Sequence, residues 1–251
     1  MGIYGSFATV YDQFMKEVPY EQWGDYIELI FKKYQYNPHS IVELGCGTGN
    51  MTEVMAKRNY DMIGIDLSED MLMVAQEKAW KNNRDILYIA QDMRKFELHG
   101  TVDCILSICD GMNYILKEEE LYQVFRLVNM YLNPGGLFIF DMNTEYKYAQ
   151  ILGDNVFSDV QKNTAYIWEN NYYEEEKINE YIVNFFIKQK NSQLYERFEE
   201  IHYQKAYSME QVSFLLSEAG LQLLEVYDAF SFQPPSSESE RIYFVVKEIQ
   251  K

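Results

Sequence analysis

Three glycines, at 45, 47 and 49, follow the apolar run from Ile41 to Leu44 in the stretch VELGCGTGN, with Glu43 just ahead of them. Glycine in a turn lets backbone approach a ligand with no side chain in between, so a ligand can lie across this turn. Aspartates close the next apolar runs: Asp66 ends DMIGID, Asp92 ends ILYIAQD and Asp110 ends CILSICD. A nicotinamide dinucleotide asks for G-x-G-x-x-G, so that its pyrophosphate sits on the helix N-terminus. Here the third glycine is at 49, Asn50 follows, and Glu43 adds negative charge where phosphates would lie. The pattern suits a ligand with an adenosine and a positive charge but no phosphate. S-adenosylmethionine has those properties, with Asp66 as acceptor for the ribose hydroxyls, Asp92 for the adenine amino group, and the backbone at Met93 for the ring.

The elements that must hold these residues follow from periodicity. YEQWGDYIELIFKKYQY spaces Trp23, Ile27, Ile30 and Phe31 as a helix does, and NPHS ends it. NMTEVMAKR reads as a helix after the glycine turn, and Ser68 as an N-cap with Glu69 and Asp70 in the first turn, where the helix dipole favours acid. A further helix spans about 117 to 132 with Leu121, Val124, Phe125 and Val128 on one face, and NPGG precedes the strand LFIFDM. Strand and helix alternate repeatedly, which argues for an α/β fold with a parallel sheet covered by helices on both faces. Between 144 and 207 the chain turns aromatic and strand-like, in TAYIWENNYY, INEYIVNFFIKQ and LYERFEEIHYQKAY. Tyr181, Val183, Phe185 and Ile187 alternate there as one buried face of a sheet requires, so an inserted antiparallel sheet is expected. A helix from Ser208 to Ala219, with Gly220 as its cap, and two strands complete the chain.

Composition sets bounds on partners. There are 39 acidic residues against 22 basic ones, a formal net charge of -17, and no basic stripe. Such a surface repels a phosphate backbone, so nucleic acid is not an expected partner. Cys46, Cys104 and Cys109 are too few for a disulfide framework, and His39, His99 and His202 show no ligand spacing, so no metal is expected and a reducing cytoplasm is the simplest setting. No run is long enough to span a bilayer, and the expected assembly is a monomer or homodimer without a membrane partner.

Four ordered motifs carry a resemblance. ELGCGTGN, GIDLSEDML, AQDMRKF and LNPGGLFIFD resemble the motifs of class I S-adenosylmethionine-dependent methyltransferases, over nearly the whole chain. YGSFATVYD and the inserted segment resemble a branch that includes sugar-amine N-methyltransferases and, closer, a set of small bacterial methyltransferases of unassigned substrate. The resemblance implies a Rossmann-like doubly wound seven-stranded sheet whose last strand is antiparallel, formed by residues 1–143 and 208–251, with 144–207 as an antiparallel β lid. It implies that Glu43, Gly45, Gly47 and Gly49 line the methionine side of the cofactor, Asp66 and Leu67 the ribose, and Asp92 and Met93 the adenine. Asp110 is placed beside the sulfonium, and Tyr4 and Tyr11 in an N-terminal segment closing over the cofactor.

The reaction expected is in-line displacement of the sulfonium methyl by a nitrogen or oxygen of a small molecule, an amine being the first choice. Alignment of donor and acceptor behind a lid that excludes water supplies much of the rate. A base is needed only for a protonated nucleophile, and Asp110 and His202 are the candidates. Glu196, Glu200 and His202 share one face of a strand by the period of two. Such a row usually faces solvent, but this strand belongs to the lid. RNA or protein as acceptor, or a non-catalytic S-adenosylmethionine-binding protein, are the alternatives.

Overall fold

Alternate residues of the first strand, β1 (Ser40–Leu44), enter opposite cores: Ile41 joins one apolar cluster, Val42 and Leu44 the other. A strand buried on both faces marks a parallel sheet between helices. In the computed structural model, which describes residues 8, 11, 12, 14, 15, 18–189 and 192–251, β1 pairs in parallel with β2 (Asp61–Asp66) and β4 (Val102–Ser107). β2 pairs likewise with β3 (Leu87–Ala90), and β4 with β5 (Leu132–Asn143). The final strand β11 (Arg241–Glu248) runs antiparallel between β5 and β10 (Leu221–Asp228), giving a seven-stranded sheet ordered β10-β11-β5-β4-β1-β2-β3.

Helices cover both faces. α1 (Tyr20–Lys33) and α2 (Asn50–Lys57) bring Trp23, Ile27, Ile30, Met51 and Met55 to the Ile41 side. α3 (Glu69–Lys81) begins at Ser68, whose hydroxyl accepts a hydrogen bond from the Met71 amide. α4 (Glu118–Tyr131) and α5 (Met209–Glu218) bring Leu121, Val124, Phe125, Val212 and Leu216 to the Val42 side. The fold is the doubly wound α/β architecture that the sequence led us to expect.

Strand order reverses at β1, which has β2 on one side and β4 on the other. Open α/β sheets bind ligands in the crevice beyond the strand carboxyl ends at such a switch point. The glycine turn after β1 and the segment after β4 border that crevice. Asp66 closes β2 as expected, but β3 stops at Ala90 and β4 at Ser107, leaving Asp92 and Asp110 in the loops beyond. The reason at β4 is local: Cys109 and Asp110 have φ of 72 and 55 degrees, a left-handed pair that cannot continue a strand.

A second, antiparallel sheet follows β5, with β6 (Val156–Val160), β7 (Thr164–Tyr173), β8 (Ile178–Lys188) and β9 (Tyr195–Lys205) in chain order. A turn of π-helix, Lys147–Leu152, leads into it. β6 was not foreseen, because all of its residues are exposed and no alternation marks it. Register sets Trp168 opposite Val183 and Val183 opposite Glu200, with Tyr166, Phe185 and Phe198 in the row on one side and Asn170, Tyr181 and His202 in the row on the other. These rows form one face. Among the described residues no helix is long and apolar enough to cross a membrane.

Candidate active site

The glycine turn is knitted to β2 through its amides. Gly45 and Cys46 donate to the Ile65 carbonyl at 2.8 and 3.0 Å, and the Gly47 amide donates to Asp66 Oδ2 at 2.8 Å. Gly47 has a φ of 55 degrees, and among the described residues a Cβ built on it would meet nothing within 4 Å. At Gly49 a Cβ would run into the Tyr88 hydroxyl and lie 3.0 Å from Ala75 Cβ. One glycine therefore faces open space and the other a packed wall. A Cβ at Gly45 would lie 3.2 Å from Met93 Cε, so Met93 folds back over the turn.

Asp66 Oδ1 accepts from the Ser68 amide at 2.8 Å, so each carboxylate oxygen has one backbone bond and keeps a second lone pair for a ligand hydroxyl. Burial raises its pKa against those backbone bonds. Glu43 is buried outright, with 2% of its surface exposed, and its Oε2 accepts from the Thr52 hydroxyl. Burial, reinforced by the charge of Asp66, pushes its carboxyl up to about 8. A cation brought beside Glu43 would restore its charge.

Leu67, 69% exposed, offers an apolar surface next to Asp66. Asp92 is engaged by its neighbour: Arg94 donates from its amide and Nε to Oδ1, both at 2.9 Å, and from Nη2 to Oδ2 at 2.6 Å. This pairing with Arg94 holds the carboxyl below its ordinary value, and an adenine amino group must share those oxygens. Tyr4 lies outside the described residues. Tyr11 is half-buried in a helical segment, and burial pushes its hydroxyl well up, with Cys109, Tyr20, Tyr114 and Asp110 close enough to add to the shift.

Asp110 is the centre of a network that the sequence did not reveal. Its Oδ1 accepts from Arg241 Nη2 at 2.7 Å, its Oδ2 from Gln204 Nε2 at 2.6 Å, and its amide donates to Asp141 Oδ1 at 3.1 Å. Arg241 also pairs with Asp141, and Gln204 Oε1 accepts from the hydroxyls of Tyr148 and Tyr181 at 2.9 and 2.7 Å. Both Asp110 oxygens are thus engaged, which suits a residue that ties β9 and β11 to the crevice. To take a proton it must give up one of these bonds. The left-handed backbone at Asp110 and its neighbour Cys109 is the kind of strain that clusters at functional sites. Burial raises the thiols of all three cysteines, which keeps them unreactive. Among the described residues no group of side chains could hold a metal.

The second sheet turns its aromatic face toward these elements. Phe14 packs on Phe185 and Tyr166 with ring centroids 4.9 and 5.5 Å apart, and His202 meets Tyr114 edge-on at 5.8 Å. Tyr114 keeps 45% of its surface accessible, yet burial raises its hydroxyl pKa. Both facts fit a ring with one accessible side and an enclosed hydroxyl. Glu196 is exposed, but Glu200 is buried and His202 half-buried, with His202 Nε2 3.1 Å from Glu200 Oε2. The row that a lid would turn toward the acceptor is thus exposed at Glu196 and buried at Glu200. A surface depression lined by Glu21, Glu53, Lys57 and Arg84 lies away from all of these residues.

One further group escaped the sequence. Asp12 accepts from Thr48 Oγ1 at 2.6 Å, Asn50 Nδ2 at 3.0 Å and Lys78 Nζ at 2.8 Å, so the N-terminal helical segment is latched onto the glycine turn. Burial alone would raise this carboxyl, but the bonds from Lys78, Thr48 and Asn50 prevail and hold it low. Nothing in the sequence beyond an acid in a segment expected to close over the cofactor marks it. Asp12→Ala is expected to weaken S-adenosylmethionine binding by about 3- to 10-fold, mainly through faster dissociation, since a half-exposed charged bond contributes about 1 kcal/mol. Stopped-flow release of the ligand reads this, and an unchanged dissociation rate would show that the latch does not guard the site.

Comparison with known proteins agrees with this geometry. A methyltransferase-domain family model matches residues 41–136. A protein of Geobacillus sp. (strain WCH70), named as a methyltransferase, is 35% identical over 245 residues, covering 97% of this chain and 99% of its own. The crystal structure of an S-adenosylmethionine-dependent methyltransferase from Clostridium acetobutylicum superposes with a TM-score of 0.88 at 30% identity, covering 99% of this chain and 100% of the other. The fold is also shared with the S-adenosylmethionine-bound structure of an amino pentose methyltransferase from Micromonospora echinaspora, at a TM-score of 0.76 and 16% identity over 95% and 96% of the two chains. The chain belongs to the class I S-adenosylmethionine-dependent methyltransferases, and S-adenosylmethionine is its cofactor. The residues fit that group: open space over Gly47, a buried acid at Glu43 that gains from a cation, and free lone pairs on Asp66.

Proposed function

We propose that this enzyme methylates an amine nitrogen on a small molecule, held between the glycine turn and the second sheet. The observation that carries this reading is the character of the facing wall. Tyr166, Trp168, Phe185, Glu200 and His202 share the inward face of β7, β8 and β9, and no lysine or arginine stands among them. A wall of rings with one acid and one imidazole favours a positively charged acceptor over a phosphate-bearing one. The amino pentose acceptor of the Micromonospora enzyme supports the same choice.

In this reading residues 1–143 and 208–251 bind the cofactor, and residues 144–207 form the lid that selects the acceptor. Glu43, the glycine turn, Asp66, Leu67, Asp92 and Met93 hold the cofactor, which supplies an electrophilic methyl group on its sulfonium. Tyr11 and Tyr114 wall the cleft, Asp110 fixes the lid through Gln204, and His202 is the group placed to take a proton from the acceptor. The setting is cytoplasmic, and nucleic acid is not a substrate, because a chain at net -17 has little with which to release counterions from a phosphate backbone.

The test is direct. Purified enzyme is incubated with methyl-labelled S-adenosylmethionine and fractionated bacterial extract, and label is located by mass spectrometry. Label is expected on amine metabolites. Label confined to RNA or to protein side chains would overturn the small-molecule reading, and no label in any fraction would favour a binding protein without turnover.

A further inference from the structure

We propose that Glu200 is the anchor for the acceptor's ammonium group and that His202 beside it receives the proton the amine must lose. The acceptor is therefore a protonatable amine that also carries a hydrogen-bond acceptor for Trp168. This inference rests on the methyl-transfer reading and names its substrate class.

Glu200 is 5% exposed, and neither of its carboxylate oxygens makes a hydrogen bond among the described residues. His202 Nε2 lies within ion-pair distance of Oε2, at 3.1 Å, without the alignment of a hydrogen bond. The next acid along the strand behaves differently: Glu199, on the opposite face, is paired with Arg197. Burying a carboxylate without partners is costly. The inward acid of this strand is thus the unsatisfied one, and it faces the cleft.

A second buried polar atom points the same way. Trp168 Nε1 is buried with no hydrogen-bond partner among the described residues. Trp168 and Glu200 occupy one row across the sheet, on either side of Val183. Two strand spacings put their backbones roughly 10 Å apart, a span that a small molecule bridges with its amine at one end and an oxygen at the other. Tyr114, edge-on to His202 at 5.8 Å, adds an aromatic surface beside a bound cation.

The chemistry balances without a further reactant. An ammonium held by Glu200 passes one proton to the imidazole of His202, and the carboxylate stabilises the imidazolium that results. The freed nitrogen lone pair forms the bond to the methyl carbon as the carbon–sulfur bond breaks and its electrons remain on sulfur. Positive charge moves from sulfur to the methylated nitrogen. His202 then returns its proton to solvent.

The test uses the full chain saturated with S-adenosylhomocysteine, so that binding is read without turnover. Tyramine, with an amine at one end and a phenol oxygen at the other, and its uncharged twin 2-(4-hydroxyphenyl)ethanol are titrated separately, reading the Trp168 indole N–H resonance, assigned through Trp168→Phe, together with calorimetry. The amine is expected to bind at least about tenfold more tightly than the alcohol, and Glu200→Gln to remove that preference while leaving S-adenosylhomocysteine affinity within about twofold. Equal binding of the two probes, no binding of either, or a preference that survives Glu200→Gln would overturn the assignment. Failure of the wild-type protein to bind S-adenosylhomocysteine at all would instead remove the methyl-transfer reading on which it rests.

Discussion

Gly47→Ala is expected to weaken cofactor binding by about 30-fold while leaving the protein folded, and Gly49→Ala to destabilise the fold while leaving cofactor binding nearly unchanged. Both residues have a left-handed backbone, at φ of 55 and 75 degrees, so each substitution costs about 1 kcal/mol in strain. The difference lies in what the new methyl meets. At Gly47 it meets no atom of the described residues within 4 Å and so occupies the space over the turn. Overpacking of that size costs about 1–3 kcal/mol, here falling on the complex alone, so affinity falls by about 5- to 150-fold, with about 30-fold at the middle of that range. Gly47→Val, larger and β-branched, should leave no measurable binding.

At Gly49 the methyl meets the Tyr88 hydroxyl and Ala75, so the penalty falls on the folded state. Tyr88 belongs to β3 and Ala75 to α3, which cannot both retreat without disturbing the sheet edge. The melting temperature of Gly49→Ala should drop by about 5 to 10 °C, from an added cost of about 2–3 kcal/mol, with cofactor affinity nearly retained below the melt. Thermal melts and calorimetry with S-adenosylmethionine read both variants. Binding by Gly47→Ala within twofold of wild type would show that the ligand does not cross the turn there.

Local chemistry explains why this turn could be read from sequence. A strand, alternating glycines, a helix and an acid at the next strand end all lie within residues 41 to 66, where backbone preference and period speak directly. The same is true of the Ser68 cap on α3; the capping box of Ser208 and Gln211 on α5 emerged only with the structure. The inserted strands β7 and β8 announced themselves by alternation, whereas β6, exposed on every residue, carried no such signal.

Long-range pairing is what the sequence withheld. Arg241 reaches Asp110 across 131 residues and Gln204 reaches it across 94, and no local pattern marks a residue whose partner is fixed only when β11 and β9 return to the crevice. Asp110 could be placed near the site but not seen as the residue that joins three elements there. Asp12 and Lys78 were hidden for the same reason, being 66 residues apart. Glu200 shows a subtler limit. The period of two put it on a face with His202, but which way that face turned depended on the docking of the whole sheet, and only then does a solvent-facing row become a buried acid.

Glu43→Gln is expected to make the free protein more stable above neutral pH and the cofactor complex weaker. Burial lifts the Glu43 carboxyl to about 8, whereas in the unfolded chain it titrates at about 4.3. Between those values the folded protein holds a proton that the unfolded chain has released. Stability from this residue is therefore present below pH of about 4, is lost progressively as pH rises, and is gone by about 8. The limiting size is about 5 kcal/mol, at about 1.4 kcal/mol per pKa unit, and local relaxation should reduce it to about 2. Glutamine keeps an oxygen for the Thr52 hydroxyl and removes the titration, so the variant should melt about 4 to 8 °C above wild type near pH 8, with the gap closing toward about pH 5. Binding carries the opposite sign. A cationic ligand favours the ionised acid, so wild-type binding releases a proton and gains affinity with rising pH until about 8. Glu43→Gln should lose about tenfold or more in affinity, together with that pH dependence, because a charge-assisted contact contributes about 1.5–3 kcal/mol. Calorimetry near pH 6.5 in two buffers of different ionisation enthalpy measures the released proton directly. If wild type releases none and Glu43→Gln binds as tightly, Glu43 does not face the positive end of the cofactor, and its burial would have to be explained by the fold alone.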